Sequence, residues 1–579
     1  MKIKAIRDSS ATSGSGEGSI ANPLWMLFSG KRILRTLAIL MVATAIAGYG
    51  STSDADSRCK AIAKTKLTRV TITASQSVPA GAFTPPGSDR PIPSIPAFCR
   101  VAATLRPTPD SNIKIELWMP ENNWNGRFLG TGNGGGAGKI SYGGLEFGLR
   151  RGYATANTDM GTSPNADAIV GHPERWADFG YRGTHEMTSV SQAILKKYYR
   201  KPQSYSYFEA CSTGGQQALM EAQRYPADYN GILAGAPANN RTHLHAGFIW
   251  NFKATNQLPD SALLPPEKIA LVTRVVVAAC AGKDGGAPGD DFLTDPRKCN
   301  FDPGSIPKCG TTDNGACLTG AQLIALKKIY AGPTNPRTGE RIYTPLPFGS
   351  ENSPLGVAYQ QNPDGGPKQF YFYRWVFGSN FDYRKFDFDR DQDTVDARLA
   401  AILNANNPDL SGLRKRGGKL LMYTGTADPL VPFQDALNYY ERVVQAQQGK
   451  LAGAESSNAL AQTQEFFRYF LVPGMGHCGG GPGLNDLEPL LSAEIPQDSE
   501  PGILAALVKW VEQGVAPNQI IATAFVDADP KEGIRFQRPI CPYPKFPDYI
   551  GGDRKSPSSF QCTEHPRDSV LTPAERYLR

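Results

Sequence analysis

The chain has 579 residues, of which 40% are hydrophobic and 20% charged. That is enough apolar material for a sizeable core, so a short binding module or a disordered tail is excluded. Of the net charge of +7, the first 50 residues carry +4 (Lys2, Lys4, Arg7, Lys31, Arg32 and Arg35 against Asp8 and Glu17), leaving +3 for the rest, so nucleic acid is not an expected partner. With 60 Gly and 46 Pro the chain suits a loop-rich enzyme better than a helical bundle.

The first segment reads as an export signal. Lys31, Arg32 and Arg35 precede an apolar run from Leu37 to Ala47 with small residues at Ala43, Ala45 and Ala47. The run is short for a membrane span, so 1–47 is taken as a leader, with Met26 as an alternative start, and the mature protein is expected to be secreted or periplasmic with no membrane contact after processing. Ten cysteines agree with an oxidising destination. Cys59 with Cys99, Cys280 with Cys299, Cys309 with Cys317 and Cys541 with Cys562 form local pairs, and no C-x-x-C spacing suggests zinc. Cys211 and Cys478 remain, far apart in sequence.

Along the chain, short apolar or alternating segments bounded by Gly and Pro alternate with helical patterns, as in an α/β protein. Strands are expected at Ile113–Leu117, at Arg127–Gly130 before the loop Gly132–Gly136, at Tyr153–Thr158, at Tyr205–Glu209 and at Gly231–Ala236. Helices are expected at His185–Tyr199, with Met187, Val190, Ile194 and Tyr198 on one face, and at Gly215–Arg224. From about Pro237 the pattern changes to a cysteine- and proline-rich stretch with aromatics at Phe370, Tyr371, Phe372, Tyr373, Trp375, Phe377 and Phe381. The α/β pattern resumes with Lys419–Tyr423, a helix at Phe433–Val444, a strand at Phe466–Val472 and a helix at Ile503–Glu512. The expected organisation is a leader (1–47), a first core part (48–238), an inserted lid (239–413) and a second core part (414–579).

Chemistry is concentrated where strands end. Ala210-Cys211-Ser212-Thr213-Gly214 is nearly the G-x-S-x-G nucleophile elbow, with Ala210 for the first glycine. Asp428 follows the Lys419–Tyr423 strand, and His477 lies in a glycine-flanked loop after the Phe466–Val472 strand. Each residue alone is weak evidence, as a helix cap, a turn Asp and a solvated His. Their order Ser, Asp, His is that of α/β-hydrolases, in which Ser attacks, His takes its proton and Asp fixes the imidazole. Cys211 and Cys478 then flank the nucleophile and the base, and a disulfide between them would hold Ser212 beside His477.

Cys-Ser, Asp and His-Cys in this order, with Tyr207–Gly215, Arg224–Tyr229, Ala234–Pro237 and Val472–Cys478 around them, resemble the tannase and feruloyl esterase family, which includes the mono(2-hydroxyethyl) terephthalate hydrolase-like enzymes. The resemblance covers nearly the whole mature chain and is consistent with the five cysteine pairings. It implies an α/β-hydrolase core with a large inserted lid, the triad Ser212, Asp428 and His477, and an oxyanion hole from the backbone N–H groups of Gly132 and Thr213. It also implies a structural calcium site in the loop closed by Cys280 and Cys299, with Asp284, Asp290, Asp291 and Phe292 as candidate ligands. This loop departs from the family pattern, since Ala281 stands for the usual first Asp and about two residues are inserted before Asp290. No organic cofactor is implied.

The resulting expectation is a secreted serine carboxylesterase acting on esters of aromatic or phenolic acids, of feruloyl esterase or tannase type. Its partner would be a small aromatic ester carried on plant polysaccharide or polyphenol. The alternatives are a terephthalate monoester hydrolase, a non-catalytic polyphenol- or carbohydrate-binding descendant, or a serine peptidase on the same core. The Phe370–Phe381 cluster is a candidate wall for the aromatic acid and also a candidate lid core; Arg374 would meet a substrate carboxylate or pair with an acid.

Overall fold

Neighbouring residues on the central strands face opposite ways, and the sequence makes both faces apolar. Phe128, Ile232, Leu420 and Tyr469 enter one buried cluster, while the next residues, Leu129, Leu233, Leu421 and Phe470, enter another. A sheet greasy on both faces must be covered on both, and helices do so here. The computed structural model describes residues 54–579 apart from 258–260, 312, 314, 369–370, 450–457, 488–501 and 568–570. The expected leader 1–47 lies outside the described residues, as does Phe370.

Nine strands form the sheet: β1 (Val70–Val78), β2 (Phe98–Leu105), β3 (Ile113–Pro120), β4 (Arg127–Thr131), β5 (Ala154–Thr158), β6 (Tyr205–Cys211), β7 (Gly231–Gly235), β8 (Lys419–Gly425) and β9 (Phe467–Val472), in the order β1-β2-β3-β5-β4-β6-β7-β8-β9. The pairs β1–β2, β2–β3 and β3–β5 are antiparallel, and every pair from β5 through β9 is parallel. The parallel half needs helical crossovers. These include α1 (Tyr142–Arg150), α2 (Gly183–Tyr199), α3 (Thr213–Arg224), α4 (Arg241–Asn256), α5 (Phe433–Gln448) and α6 (Ile503–Gln513). Met187, Val190, Ile194 and Tyr198 of α2 are buried in one face, as their spacing predicts, with residues of α3 and α5. Ile503, Leu504, Leu507 and Trp510 of α6 cover the other. The arrangement is an α/β fold with the expected strands and helices in place. The sequence reading did not identify β1, β2 or α1.

Between Gly235 and Lys419 no described residue joins the central sheet. That segment is built from helices such as Pro266–Cys280, Gly320–Ala331 and Tyr371–Phe377, closed by Cys280–Cys299 and Cys309–Cys317. Leu264, Ile269, Val272, Val276, Leu326 and Ile329 form an apolar cluster of its own. A second cluster joins Phe372, Trp375 and Phe386 to Met160, Ile169, Trp176 and Phe179, and so fixes the segment to the first half of the chain. Beyond β9 the chain adds two antiparallel hairpins, Ile520–Phe525 with Ile534–Ile540 and Lys545–Tyr549 with Phe560–Glu564, and Cys541–Cys562 links one to the other. No helix among the described residues is long and apolar enough to cross a membrane.

Cys59–Cys99 ties the helical segment before β1 to β2 across a sequence separation of 40, far from the strand ends where the candidate residues lie. Loop-closure entropy for a loop of that size is about 4 kcal/mol. The double variant Cys59→Ser/Cys99→Ser should therefore lower the melting temperature by several degrees in calorimetry. The circular dichroism of the folded fraction at 25 °C should stay unchanged.

Candidate active site

The turn that carries Ser212 joins β6 to α3 with no spare residue. Its backbone has φ 67° and ψ −119°, a left-handed conformation that costs a β-carbon residue of order 1–3 kcal/mol and that packed surroundings must enforce. Helix α3 begins at Thr213, two residues earlier than its sequence pattern predicts, because Ser212 itself takes the cap position. The missing first glycine of the elbow is compensated by its neighbours. The Ala210 methyl stands 2.5 Å from where a Gly132 Cβ would be and 2.3 Å from where a Gly214 Cβ would be. Those two glycines are what make room for Ala210.

Asp428 and His477 come from the loops after β8 and β9, and these loops are bonded to each other. Thr426 N–H donates to Val472 O, Ala427 N–H to Met475 O, and Gly474 N–H to Thr426 Oγ1. Gly425 has no room for a side chain, since a Cβ would lie 2.1 Å from Met475 O. The fully buried Asp428 accepts Leu430 and Val431 N–H on Oδ1 and faces His477 Nδ1 at 2.8 Å with Oδ2. A carboxylate can only accept, so Nδ1 carries the proton. Nε2 is left to accept from Ser212 Oγ, 2.9 Å away. The Cys211–Cys478 disulfide, with Cα atoms 5.8 Å apart and a sequence separation of 267, closes the same corner from outside.

Beside the elbow, the loop after β4 is held by buried amides. Asn133 Nδ2 donates to Thr158 O, Asn157 Nδ2 to Thr131 O and Gly132 O, and Gln217 Oε1 accepts Asn133 N–H. Gly132 and Thr213, the expected oxyanion donors, line one cavity with Ser212 and His477. Arg241, at the start of α4 and buried, donates to Thr213 Oγ1, Gln216 Oε1, Gly135 O and Tyr371 Oη. Its guanidinium thus joins the elbow, the glycine loop and the lid. Sequence reading missed Asn133, Asn157, Gln217 and Arg241, for which the only available signal was polar residues inside otherwise apolar or glycine-rich segments.

The cavity over Ser212 has a volume of about 590 Å³. From the lid it is lined by Leu244, His245, Phe248, Leu355 and Tyr359, and not by the described members of the Phe370–Phe381 cluster. Phe372, Tyr373 and Trp375 are buried in packing, with Trp375 stacked on Trp176, because helix Tyr371–Phe377 turns its apolar side into the core. Tyr371 touches the site through Arg241 and through a ring contact with the cavity-lining His245. Arg374 pairs with Asp167 at 2.8 Å.

In the Cys280–Cys299 loop the carboxyl oxygens do not all converge. Asp284 Oδ1, Asp290 Oδ2 and Thr294 Oγ1 lie 3.1, 3.1 and 2.8 Å from where a Gly286 Cβ would stand, and the buried Thr294 hydroxyl has no hydrogen-bond partner. Of these three oxygens, Asp284 Oδ1 accepts Gly286 N–H and Asp290 Oδ2 accepts Ala287 N–H and the Arg538 guanidinium, so Thr294 Oγ1 alone is unengaged. Asp291 is instead turned outward onto Arg535, so it leaves the expected ligand set, and the Phe292 ring packs on Phe536. Arg538, buried among Phe292, Phe536 and Phe560, holds Asp290 through two 2.7 Å contacts. Burial raises the Asp284 carboxyl above the ordinary carboxylate range, opposed by N–H donors from Gly286, Thr294 and Asp295.

With the geometry in place, likeness to known proteins can be stated. A model of the tannase and feruloyl esterase family matches residues 99–563. An uncharacterized esterase of Xanthomonas campestris is 38% identical over 572 residues, covering 94% of this chain and 96% of its own. Feruloyl esterase B of Aspergillus niger is 30% identical over 474 residues, covering 80% and 86%. The crystal structure of feruloyl esterase B from Aspergillus oryzae superposes with a TM-score of 0.79 at 28% identity, covering 88% of this chain and all of that one.

If the Cys211–Cys478 bond sets the Ser212–His477 separation, Cys211→Ala/Cys478→Ala should lower kcat at least tenfold with a smaller change in KM. Steady-state kinetics on a soluble aryl ester, with circular dichroism to confirm folding, would check this. An unchanged kcat would show that packing alone holds the pair.

Proposed function

The chain belongs to the tannase and feruloyl esterase family and is thereby a carboxylic ester hydrolase; from that premise we propose a serine carboxylesterase that cleaves esters of phenolic acids through an acyl-enzyme on Ser212. The observation that carries the reading is the hydrogen-bonded line from Ser212 Oγ through His477 to Asp428, set in the floor of an apolar cavity.

In this mechanism His477 Nε2 takes the Ser212 proton as Oγ attacks the ester carbonyl, and Asp428 stabilises the imidazolium that results. Negative charge develops on the carbonyl oxygen, where Gly132 and Thr213 N–H would receive it. Arg241, bonded to Thr213 and Gly135, positions those donors. The tetrahedral species collapses as His477 returns its proton to the leaving alcohol. A water molecule, activated by the same nitrogen, then releases the acid and restores Ser212.

The substrate would be a small aromatic ester carried on plant polysaccharide or polyphenol, and the enzyme would act outside the cytoplasm. The pairing of all ten cysteines supports an oxidising location. A structural calcium ion in the lid would be held by Asp284 and Asp290 with Thr294 beside them. It would balance the charge of Asp284 beside the Asp290–Arg538 pair and take no part in the chemistry.

Ser212→Ala should reduce turnover at least a thousandfold with the melting temperature nearly unchanged. The check is initial rates on methyl ferulate, methyl gallate and a terephthalate monoester. Residual activity near wild type would remove Ser212 from the mechanism. Chelation with EDTA should lower the melting temperature by a few degrees, restored by added calcium, and Asp284→Asn should abolish that response; a melting curve indifferent to EDTA would refute the lid ion.

A further inference from the structure

One part of the cavity wall has no role in the chemistry above. Glu209 lies three residues before Ser212 on β6, in register between Thr131 of β4 and Leu233 of β7. Strand alternation sends it to the same face as Tyr207, toward the side covered by α6. Tyr207 finds a partner there, donating to Glu512 at 2.7 Å. Glu209 does not. Its Oε2 is buried without a hydrogen-bond partner, while the residue lines the cavity that contains Ser212, as the only acid among the described lining residues.

The surroundings are those of a ring slot. Gly143, Gly144, Phe147, Leu233 and Tyr423 line the cavity with it, and Phe147, Leu233 and Tyr423 belong to, or pack against, the apolar cluster on that face. At Gly143 a Cβ would meet nothing within 4 Å, so the first turn of α1 leaves open space toward the cavity. Burial pushes the Glu209 carboxyl up to about 7, opposed only by the charge of Arg151. A carboxyl group with one oxygen left without a hydrogen bond in an apolar wall is costly unless a ligand completes its surroundings. The matching group is a hydroxyl, which donates to a carboxylate and accepts from a carboxylic acid. A second carboxylate matches only the protonated form, because like charges in a low-dielectric wall repel. Three residues of strand span about 10 Å, a distance comparable to a hydroxycinnamoyl group reaching from its ester carbonyl to its ring hydroxyl.

We propose that Glu209 is the specificity-determining residue that binds the ring hydroxyl of a phenolic acyl group seated between Phe147 and Tyr423, with its ester carbonyl at Ser212. The assignment rests on the esterase reading and refines its substrate class. It selects hydroxylated aromatic acids over unsubstituted ones and disfavours rings that carry a free carboxylate.

The test separates binding from turnover. Calorimetric titration of the Ser212→Ala protein with methyl 4-hydroxycinnamate and methyl cinnamate should show the hydroxylated ester binding at least tenfold tighter. Adding Glu209→Leu should bring the ratio near one, and Glu209→Gln, which still hydrogen-bonds a hydroxyl, should keep most of it. Gly143→Leu, which fills the slot without touching Glu209, should weaken both esters at least tenfold. With Ser212 intact, the ratio of kcat/KM for the two esters should follow the same pattern. Equal affinities in Ser212→Ala, a ratio unmoved by Glu209→Leu, or full binding in Gly143→Leu would each overturn the assignment. Undiminished turnover in Ser212→Ala would instead refute the serine mechanism, and the kcat/KM ratio of the two esters, with and without Glu209→Leu, would then report on Glu209.

Discussion

The covalent bond between Cys211 and Cys478 is the constraint around which the site is arranged. It joins the ends of β6 and β9, strands separated in the sheet by β7 and β8. A parallel sheet sets the spacing of its strands, but not the course of the loops that leave their ends. Here one loop is a left-handed turn at Ser212 and the other a glycine-rich run around His477, in which Met475 is buried in the apolar cluster. The disulfide ties the end of one to the other. The hydrogen bonds between the β8 and β9 loops supply the rest, leaving Asp428 with both carboxylate oxygens engaged and His477 with one tautomer.

The same logic of close approach governs the glycine loop. Gly132, Gly214 and Ala210 share a space that admits only one methyl group. The backbone can therefore come near the elbow only because two of the three lack a side chain. Buried amides then replace side-chain packing as the means of holding the loop, which is the arrangement expected when backbone N–H groups must face a substrate and not one another. Arg241 extends this network into the lid through Tyr371. The inserted segment is thereby connected to the core at the site itself, as well as through the Trp176–Trp375 stack.

The lid shows how charge and packing divide the work. Phe372, Tyr373 and Trp375 are consumed by a core shared with the first half of the chain, and the lid side of the cavity wall is assembled from α4 and from Leu355 and Tyr359, at and in the short helix Val357–Gln361. Its acidic loop is organised by Arg538, which arrives from a hairpin near the end of the chain and is flanked by three phenylalanine rings. Only two of the three aspartates turn inward, with Thr294 completing the group.

What the sequence by itself determined is the set of strand-end residues. Hydrophobic alternation placed strands before Ser212, Asp428 and His477, and the chain order of those three, with cysteines beside the first and last, sufficed to predict the fold and the disulfide partners. These signals are local, carried by periodicity and by residue types at junctions, and the helix and strand limits agree within a few residues. The tertiary structure alone decided what lies opposite what. The Ala210 substitution is tolerated because of Gly214 and the distant Gly132, the described members of the Phe370–Phe381 cluster pack instead of lining the cavity, Asp291 turns away from Asp284 and Asp290, and Glu209 lines the cavity beside Ser212. None of these follows from periodicity, because each depends on which surfaces meet when segments tens to hundreds of residues apart are brought together by the sheet.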